Sequence, residues 1–298
     1  MVEICAESSR QADEPIAATA PQQDAYLLLE YREQWQPKAA KPGNNTLTNA
    51  VSEHLYAEIR ASGRSVKPLF IRQQGRTSGA LTAFVALVTE QDPVVYRLDL
   101  ASYDDLLTVP LKEMLRAERT AGHLQTEPIY AVCTHKERDR ACGKYGWSVY
   151  QALHDHAAGR VWQSTHLGGH RFAGTLLALP SGALYGHLDP DDVPALAQAE
   201  ENGRLFLPRL RGRVCYRKPE QAAAIALHQH TQADQWDVFR WSHTEQPQEN
   251  QWHIRFDAMG EQYLMDVKLE KFGTPVYTST GDTEPSDIEI HTAQVIAD

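Results

Sequence analysis

Two stretches of the chain, 25–117 and 128–201, run through the same series of elements, and this limits the available folds more than any other feature. Ala25–Tyr31 is a short apolar run that reads as a buried strand. In Thr48–Ala61, Val51, Leu55, Tyr56 and Ile59 recur at helical spacing, and Gly63 follows as a stop. Strands are expected over Pro68–Arg72, Leu81–Thr89 and Val94–Leu100, then a helix over Tyr103–Ala117. The second stretch offers a strand at Pro128–Cys133 and a helix at Tyr145–Ala157. Strands at Arg160–Ser164, Gly174–Leu179 and Leu184–Leu188 follow, then a helix at Pro190–Glu201 capped by Asp189 or Asp191. Strand, helix, strand, strand, strand, helix is the order of a thioredoxin-like fold. The expectation is an α/β (α+β) chain with two tandem domains of that kind, over 23–122 and 123–230.

What flanks the repeat looks different. Residues 1–22 are polar and aperiodic and read as an extended lead-in. Pro219–Gln229 is Ala-rich and helical in character. After Gln235 the pattern changes to alternation. Trp252, Ile254 and Phe256, then Tyr263, Met265, Val267 and Leu269, predict an antiparallel hairpin, with a further strand at Trp236–Trp241. Residues 231–298 therefore form a small β-rich region, with an acidic tail read as loop until Ile288. This region carries most of the chain's net charge of −10.

A hydrophobic content of 42% is ordinary for a packed domain. The longest apolar runs are strand-sized, so no membrane span is expected. The first residues lack the basic and apolar regions of a secretory leader, and the expected location is cytoplasmic. Basic residues are not concentrated on one stretch as a nucleic-acid footprint requires. Four cysteines in 298 residues argue against a disulfide scaffold and for reduced thiols.

Two of those cysteines stand near two histidines. Cys133 and Cys142 are separated by eight residues, His166 and His170 by three, and all four lie within one 38-residue stretch. Thiolate and imidazole are the donors that hold transition metals and iron–sulfur clusters, and two of each make a complete set. Cys133 ends a strand, and Cys142 lies just before a helix whose free N–H groups favour an anion. The glycines between the histidines permit positive φ and a close approach of backbone to a cofactor. Zinc accepts such a set, but zinc fingers favour closer cysteines in small independent modules. Rieske centres hold a [2Fe–2S] cluster on two Cys and two His, but pair each Cys with a His.

The segments VCTHKERDRACGKYG and VWQSTHLGGHRFAGTLLALPSGALYG resemble the sucrase/ferredoxin-like family, related to thioredoxin-like [2Fe–2S] ferredoxins. The resemblance covers roughly residues 20–215. It implies a [2Fe–2S] cluster with Cys133 and Cys142 on one iron and His166 and His170 on the other. The first thioredoxin-like domain has no ligands at matching places and is a degenerate copy. The expected role is electron transfer, in a proton-coupled form, with a redox protein as partner and no hydrolase chemistry. A structural zinc site in a protein-interaction module is the alternative.

Other candidates carry less. His154 with His156, and His228 with His230, are two apart on helices and point away from one another. His135 and His187 are expected near the site. Cys5 and Cys215 read as ordinary thiols. Asp104–Asp105 and Asp189–Asp192 read as helix-entry acids. Arg209–Lys218 reads as a solvated basic face that can dock an acidic redox partner. The oligomeric state is not legible.

Overall fold

The computed structural model describes residues 4–258 and 260–296. It is a mixed α/β structure with a large ten-stranded sheet and a separate four-stranded sheet. In the first half lie β1 (Ala25–Glu30), α2 (Asn49–Ser62), β2 (Val66–Arg72), β3 (Leu81–Leu87), β4 (Val94–Leu100), α3 (Leu111–Leu115) and β5 (His123–Leu124). The second half has β6 (Ile129–Cys133), α4 (Arg140–His156), β7 (Val161–Ser164), β8 (Leu176–Leu179), β9 (Ala183–Tyr185), α5 (Val193–Glu201) and β10 (Leu210–Arg213). The large sheet runs β10-β9-β8-β6-β7-β2-β1-β3-β4-β5, so its two halves mirror each other. In each half the first two strands are parallel and the third is antiparallel to the first. The halves join where β2 pairs antiparallel with β7, Ile71 opposite Ser164 and Arg72 opposite Gln163.

The strands at the sheet centre are buried on both faces, which explains their continuous apolar runs. In β1, Leu27 and Leu29 pack into one core while Tyr26 and Leu28 pack into another. That second core also holds Phe84, Trp162, Cys133 and Cys142, so both cysteines sit where the two halves meet.

Most expected elements are present; the strand expected at Trp236–Trp241 is a turn that becomes strand only at Arg240, and four further differences have a physical reason. The helix expected over Tyr103–Ala117 is split into a 3-10 turn, Tyr103–Thr108, and α3. Pro110 lacks the needed N–H and forces Val109 into an extended conformation. Helix α4 begins five residues earlier than the apolar periodicity suggests, because Asp139 caps it by accepting a hydrogen bond from the Ala141 N–H at 2.8 Å. The lead-in contains α1 (Cys5–Gln11), with Cys5, Ala6 and Ser9 buried. So short a helix has no periodic signature and depends on tertiary contacts. Here these are Glu7 with Lys144, and Arg10 with Asp189 at 3.0 Å. Finally, the basic stretch Arg209–Lys218 is not a solvated face: Arg211 is 1% and Arg213 4% exposed.

After α6 (Lys218–Thr231), strands β11 (Arg240–Gln248), β12 (Gln251–Ala258), β13 (Glu261–Lys271) and β14 (Glu289–Ile296) form the antiparallel four-stranded sheet. Ala222, Ala223 and Leu227 of α6 pack on its inward row, Ile254, Phe256, Met265 and Val267. The segment between β13 and β14 returns to α1, where the Tyr277 N–H donates to the Ser8 hydroxyl at 3.1 Å. Among the described residues no helix is long and apolar enough to cross a membrane.

Candidate metal centre

Cys133 is the last residue of β6, and Cys142 lies in the first turn of α4 rather than ahead of it. Their meeting depends on how closely α4 crosses the end of β6. Gly146, one turn beyond Cys142, lies so near Cys133 that a Cβ there would stand 1.9 Å from the Cys133 carbonyl oxygen. His166 follows β7 and faces both cysteines, its Nδ1 3.9 Å from the Cys133 Sγ and 3.7 Å from the Cys142 Sγ. All three donor atoms lie within 4.8 Å of one another.

His170 stands beside this group. Its ring centroid is 5.3 Å from that of His166, and its Nδ1 points to a second set of donors. It lies 3.1 Å from an Asp139 carboxylate oxygen and 3.5 Å from the Cys5 Sγ. On the other side of the ring, Nε2 is 3.3 Å from the Ser279 hydroxyl. The structure thus gathers Cys133, Cys142 and His166 at one point, and Cys5, Asp139 and His170 at another next to it.

The loop carrying both histidines is clamped from behind. Gly168 and Gly169 have φ of 113° and 69°, the left-handed region that glycine enters without strain. Arg211 donates to the Gly168 carbonyl at 2.8 Å, and to the Thr19 hydroxyl and carbonyl at 2.9 and 2.6 Å. Lys67, from β2 in the first half, donates to the Leu167 carbonyl. Arg171 pairs with the buried Glu14 at 2.8 Å. The half without Cys or His ligands therefore contributes a cation to the site, and the lead-in contributes backbone acceptors and an acid.

The electrostatics favour a thiolate. Cys133 is held well below the ordinary thiol range by the hydrogen bond from Cys142, and His166 and the His135 N–H act in the same direction against burial. Cys142 is pushed up by that same shared proton and by burial. Burial opposes ionisation of Asp139, but His170, the Ala141 N–H and Thr280 outweigh it and hold the carboxyl well below its usual range. Burial likewise opposes charging His170, yet Asp139 and Cys5 raise it to about 9. Desolvation lowers Lys67 to about 8, with the Cys133 charge pulling the other way.

Two thiols and an imidazole in a buried cluster suit a soft or borderline transition metal or an iron–sulfur cluster. The donor set fits either. Solvent reaches it through a groove of about 420 Å³ lined by Lys38, Lys41, Lys67, His135, Arg138 and His166.

The remaining sequence candidates fall outside the centre. His135 is buried beside it, but its Nε2 bonds the Gln36 carbonyl at 2.9 Å. His187 bonds the Arg171 carbonyl at 3.1 Å, and burial lowers it to about 4. His154 stacks on Tyr150, and His228 bonds the Ala233 carbonyl at 2.7 Å. Cys215 packs beside α6. Asp105 and Asp192 take part in capping boxes, as helix-entry acids do. Sequence reasoning missed Cys5, Asp139, Lys67 and Arg211. Only Asp139 left a local trace, as a cap residue directly ahead of a helix.

Neither the curated proteins nor the solved structures compared with the chain gave a match. The family model described as sucrase/ferredoxin-like matches residues 16–212, which span the large sheet nearly end to end and every residue of the centre except Cys5. The chain belongs to the sucrase/ferredoxin-like family.

Proposed function

We propose that the chain is an electron-transfer protein that holds a [2Fe–2S] cluster on Cys133, Cys142, His166 and His170. The convergence of Cys133, Cys142 and His166 on one buried point carries this reading. The mirrored halves of the sheet support two tandem thioredoxin-like units, of which the first has lost its ligands and kept a supporting role. Bound at this point, such a cluster supplies a one-electron couple whose potential depends on its ligands, net charge and exposure.

The chain's own residues prepare the site for this. The depressed Cys133 supplies thiolate without a large proton cost. Arg211 places a buried cation and Lys67 a half-buried one near the negative sulfurs, and both favour an added electron. Asp139 faces Nδ1 of the His170 ring at 3.1 Å and holds a proton there, which leaves Nε2 as the nitrogen for a cluster. A ligating ring that keeps a proton on its second nitrogen couples electron to proton transfer. Lys38, Lys41 and Arg138 are exposed at the groove mouth, and an acidic redox protein is the complementary partner.

One observation favours a different occupant. Sulfur and nitrogen donors on a single tetrahedral ion lie about 3.6 Å apart, given metal–sulfur bonds near 2.3 Å and metal–nitrogen bonds of about 2.0–2.1 Å. The separations of 3.7 and 3.9 Å from His166 to the cysteines are close to this, as one zinc ion would require.

Ligand substitution tests the reading. Cys133→Ser, Cys142→Ser and His166→Ala are each expected to lose most of the iron and acid-labile sulfide, and His170→Ala to leave an unstable centre. His154→Ala and His156→Ala are expected to retain both. Unchanged iron and sulfide in all four ligand variants would overturn the assignment.

A further inference from the structure

The segments that follow β1 and β6 meet where the two halves of the large sheet join, and they leave between them a cavity of about 260 Å³. Arg72 and Gln163, the residues paired across the β2–β7 junction, line it. Trp35 comes from the first half, and Thr134, His135 and Trp147 from the second, so neither half makes the cavity alone. His135 also lines the groove that leads to the metal centre, and the two spaces share that one ring.

Arg72 is the group that asks for a ligand. Its guanidinium lies over the Trp35 ring, 4.2 Å from the centroid. Its Nε donates to the Gln163 Oε1 at 3.4 Å, and among the described residues its two Nη groups donate to no protein atom and meet no carboxylate. The neighbouring Arg32 and Arg76 line the adjoining groove instead and share the buried Glu30. Burial works against the Arg72 charge, so an anion from solution gains a charge-assisted contact on a planar donor fork. Gln163, 5% exposed, accepts from Arg72 and from the Thr134 hydroxyl, which leaves its amide N–H₂ as a second donor. Two further buried atoms in the wall lack partners, Trp35 Nε1 and His135 Nδ1, in residues 3% and 2% exposed. The His135 Nε2 meets the Gln36 carbonyl as a donor, so its Nδ1 is an acceptor for a hydroxyl or N–H. Buried polar atoms normally have partners, and several unpartnered ones in one wall mark a place where a ligand supplies them.

Charge and size narrow the occupant. Among the residues lining the cavity, the exposed Lys136 and Glu137 offset each other, and Arg72 leaves one positive charge. That matches a singly charged carboxylate better than a phosphate. The volume is just under the range of about 300–1,000 Å³ that holds drug-sized ligands, so the molecule is small. Two tryptophans in the wall favour a flat ring.

We propose that this cavity binds a small aromatic carboxylate carrying a hydroxyl or N–H group, with its carboxylate on Arg72 and Gln163 and its ring against Trp35 and Trp147. The site does not depend on which metal fills the neighbouring centre.

Isothermal titration of the full-length chain, as purified with its centre, tests this with 4-hydroxybenzoate as the probe. Saturable binding of one molecule per chain is expected. The uncharged twin 4-hydroxybenzamide, and acetate, which lacks the ring, are each expected to bind at least about tenfold more weakly. Arg72→Met is expected to weaken the probe by at least about tenfold, with folding checked by thermal unfolding because Arg72 packs on Trp35. No saturation at millimolar probe, equal binding of the amide or of acetate, tighter binding of inorganic phosphate, or wild-type affinity in Arg72→Met would each overturn the proposal. A second measurement needs no variant. The probe should slow hydrogen exchange at 134–137 and leave 240–248 unchanged, and saturable binding with no slowing at 134–137 would contradict the assignment of the site.

Discussion

Gly146 and Cys133 are packed so closely that no side chain fits between them: a Cβ on Gly146 would stand 1.9 Å from the Cys133 carbonyl oxygen. The contact is with backbone at the end of β6, so a rotamer change cannot relieve it. Gly146→Ala is therefore expected to push α4 off β6, carrying Cys142 away from Cys133 and His166. Overpacking of this kind costs about 1–3 kcal/mol. Thermal unfolding with parallel metal analysis checks this, and a variant with wild-type stability and metal content would show that the contact does not set the cysteine geometry.

Arg211 holds the histidine loop to the lead-in through Gly168 and Thr19. Arg211→Met keeps much of the side-chain volume but leaves three part-buried acceptors without this donor. Losses of about 1–3 kcal/mol are typical where a buried acceptor is stranded. The expected result is lower stability and faster hydrogen exchange at 166–170 and 16–21 together. Faster exchange at only one of these segments would show that Arg211 does not couple them.

Lys67 tests whether the ligand-free half tunes the site. Removing its half-buried charge by Lys67→Met should make an electron harder to add to the centre, so the midpoint potential falls. A cation near a partly buried group is worth on the order of 1 kcal/mol. Potentiometric titration measures this, and an unchanged or raised potential would rule out an electrostatic role.

Glu200 gives a pH-dependent signature away from the centre. Burial raises its carboxyl to about 7, while Tyr185 donates a hydrogen bond to it. The folded chain therefore binds this proton more tightly than the unfolded chain, and the stability it confers is lost as pH rises from about 4.5 through 7. The buried His187 and His228, both lowered to about 4, act in the opposite direction: their contribution is present above about 6.5 and lost as pH falls towards 4. Comparing Glu200→Gln with the wild type removes the histidine contribution. The variant is expected to gain up to about 3 kcal/mol relative to the wild type between pH 4.5 and 7. A constant difference in urea-unfolding free energy across that range would contradict the assignment.

Much of this was legible in the sequence where the signal was local. The continuous apolar run of β1 and the spaced Val51, Leu55 and Ile59 of α2 marked their elements because burial acts on one segment at a time. The Cys133, Cys142 and His166 grouping was legible because its residue types are chemically distinctive and close in sequence. Cys5 was not, since a single cysteine in an aperiodic segment carries no sign of the partner it meets 165 residues away, His170. Arg211 was misread as solvated because burying a guanidinium depends on carbonyls at Thr19 and Gly168, which only the fold brings together. The β2–β7 junction is equally non-local, resting on two residue pairs between segments some 90 residues apart.

The central claim, that this centre carries a [2Fe–2S] cluster, is tested most directly by the visible absorption spectrum of the full-length chain purified without air, with iron and sulfide counted in the same sample. The account predicts a red-brown protein with charge-transfer bands, about two iron and two sulfide per chain, and bleaching by dithionite. A colourless protein carrying one zinc ion per chain would contradict it.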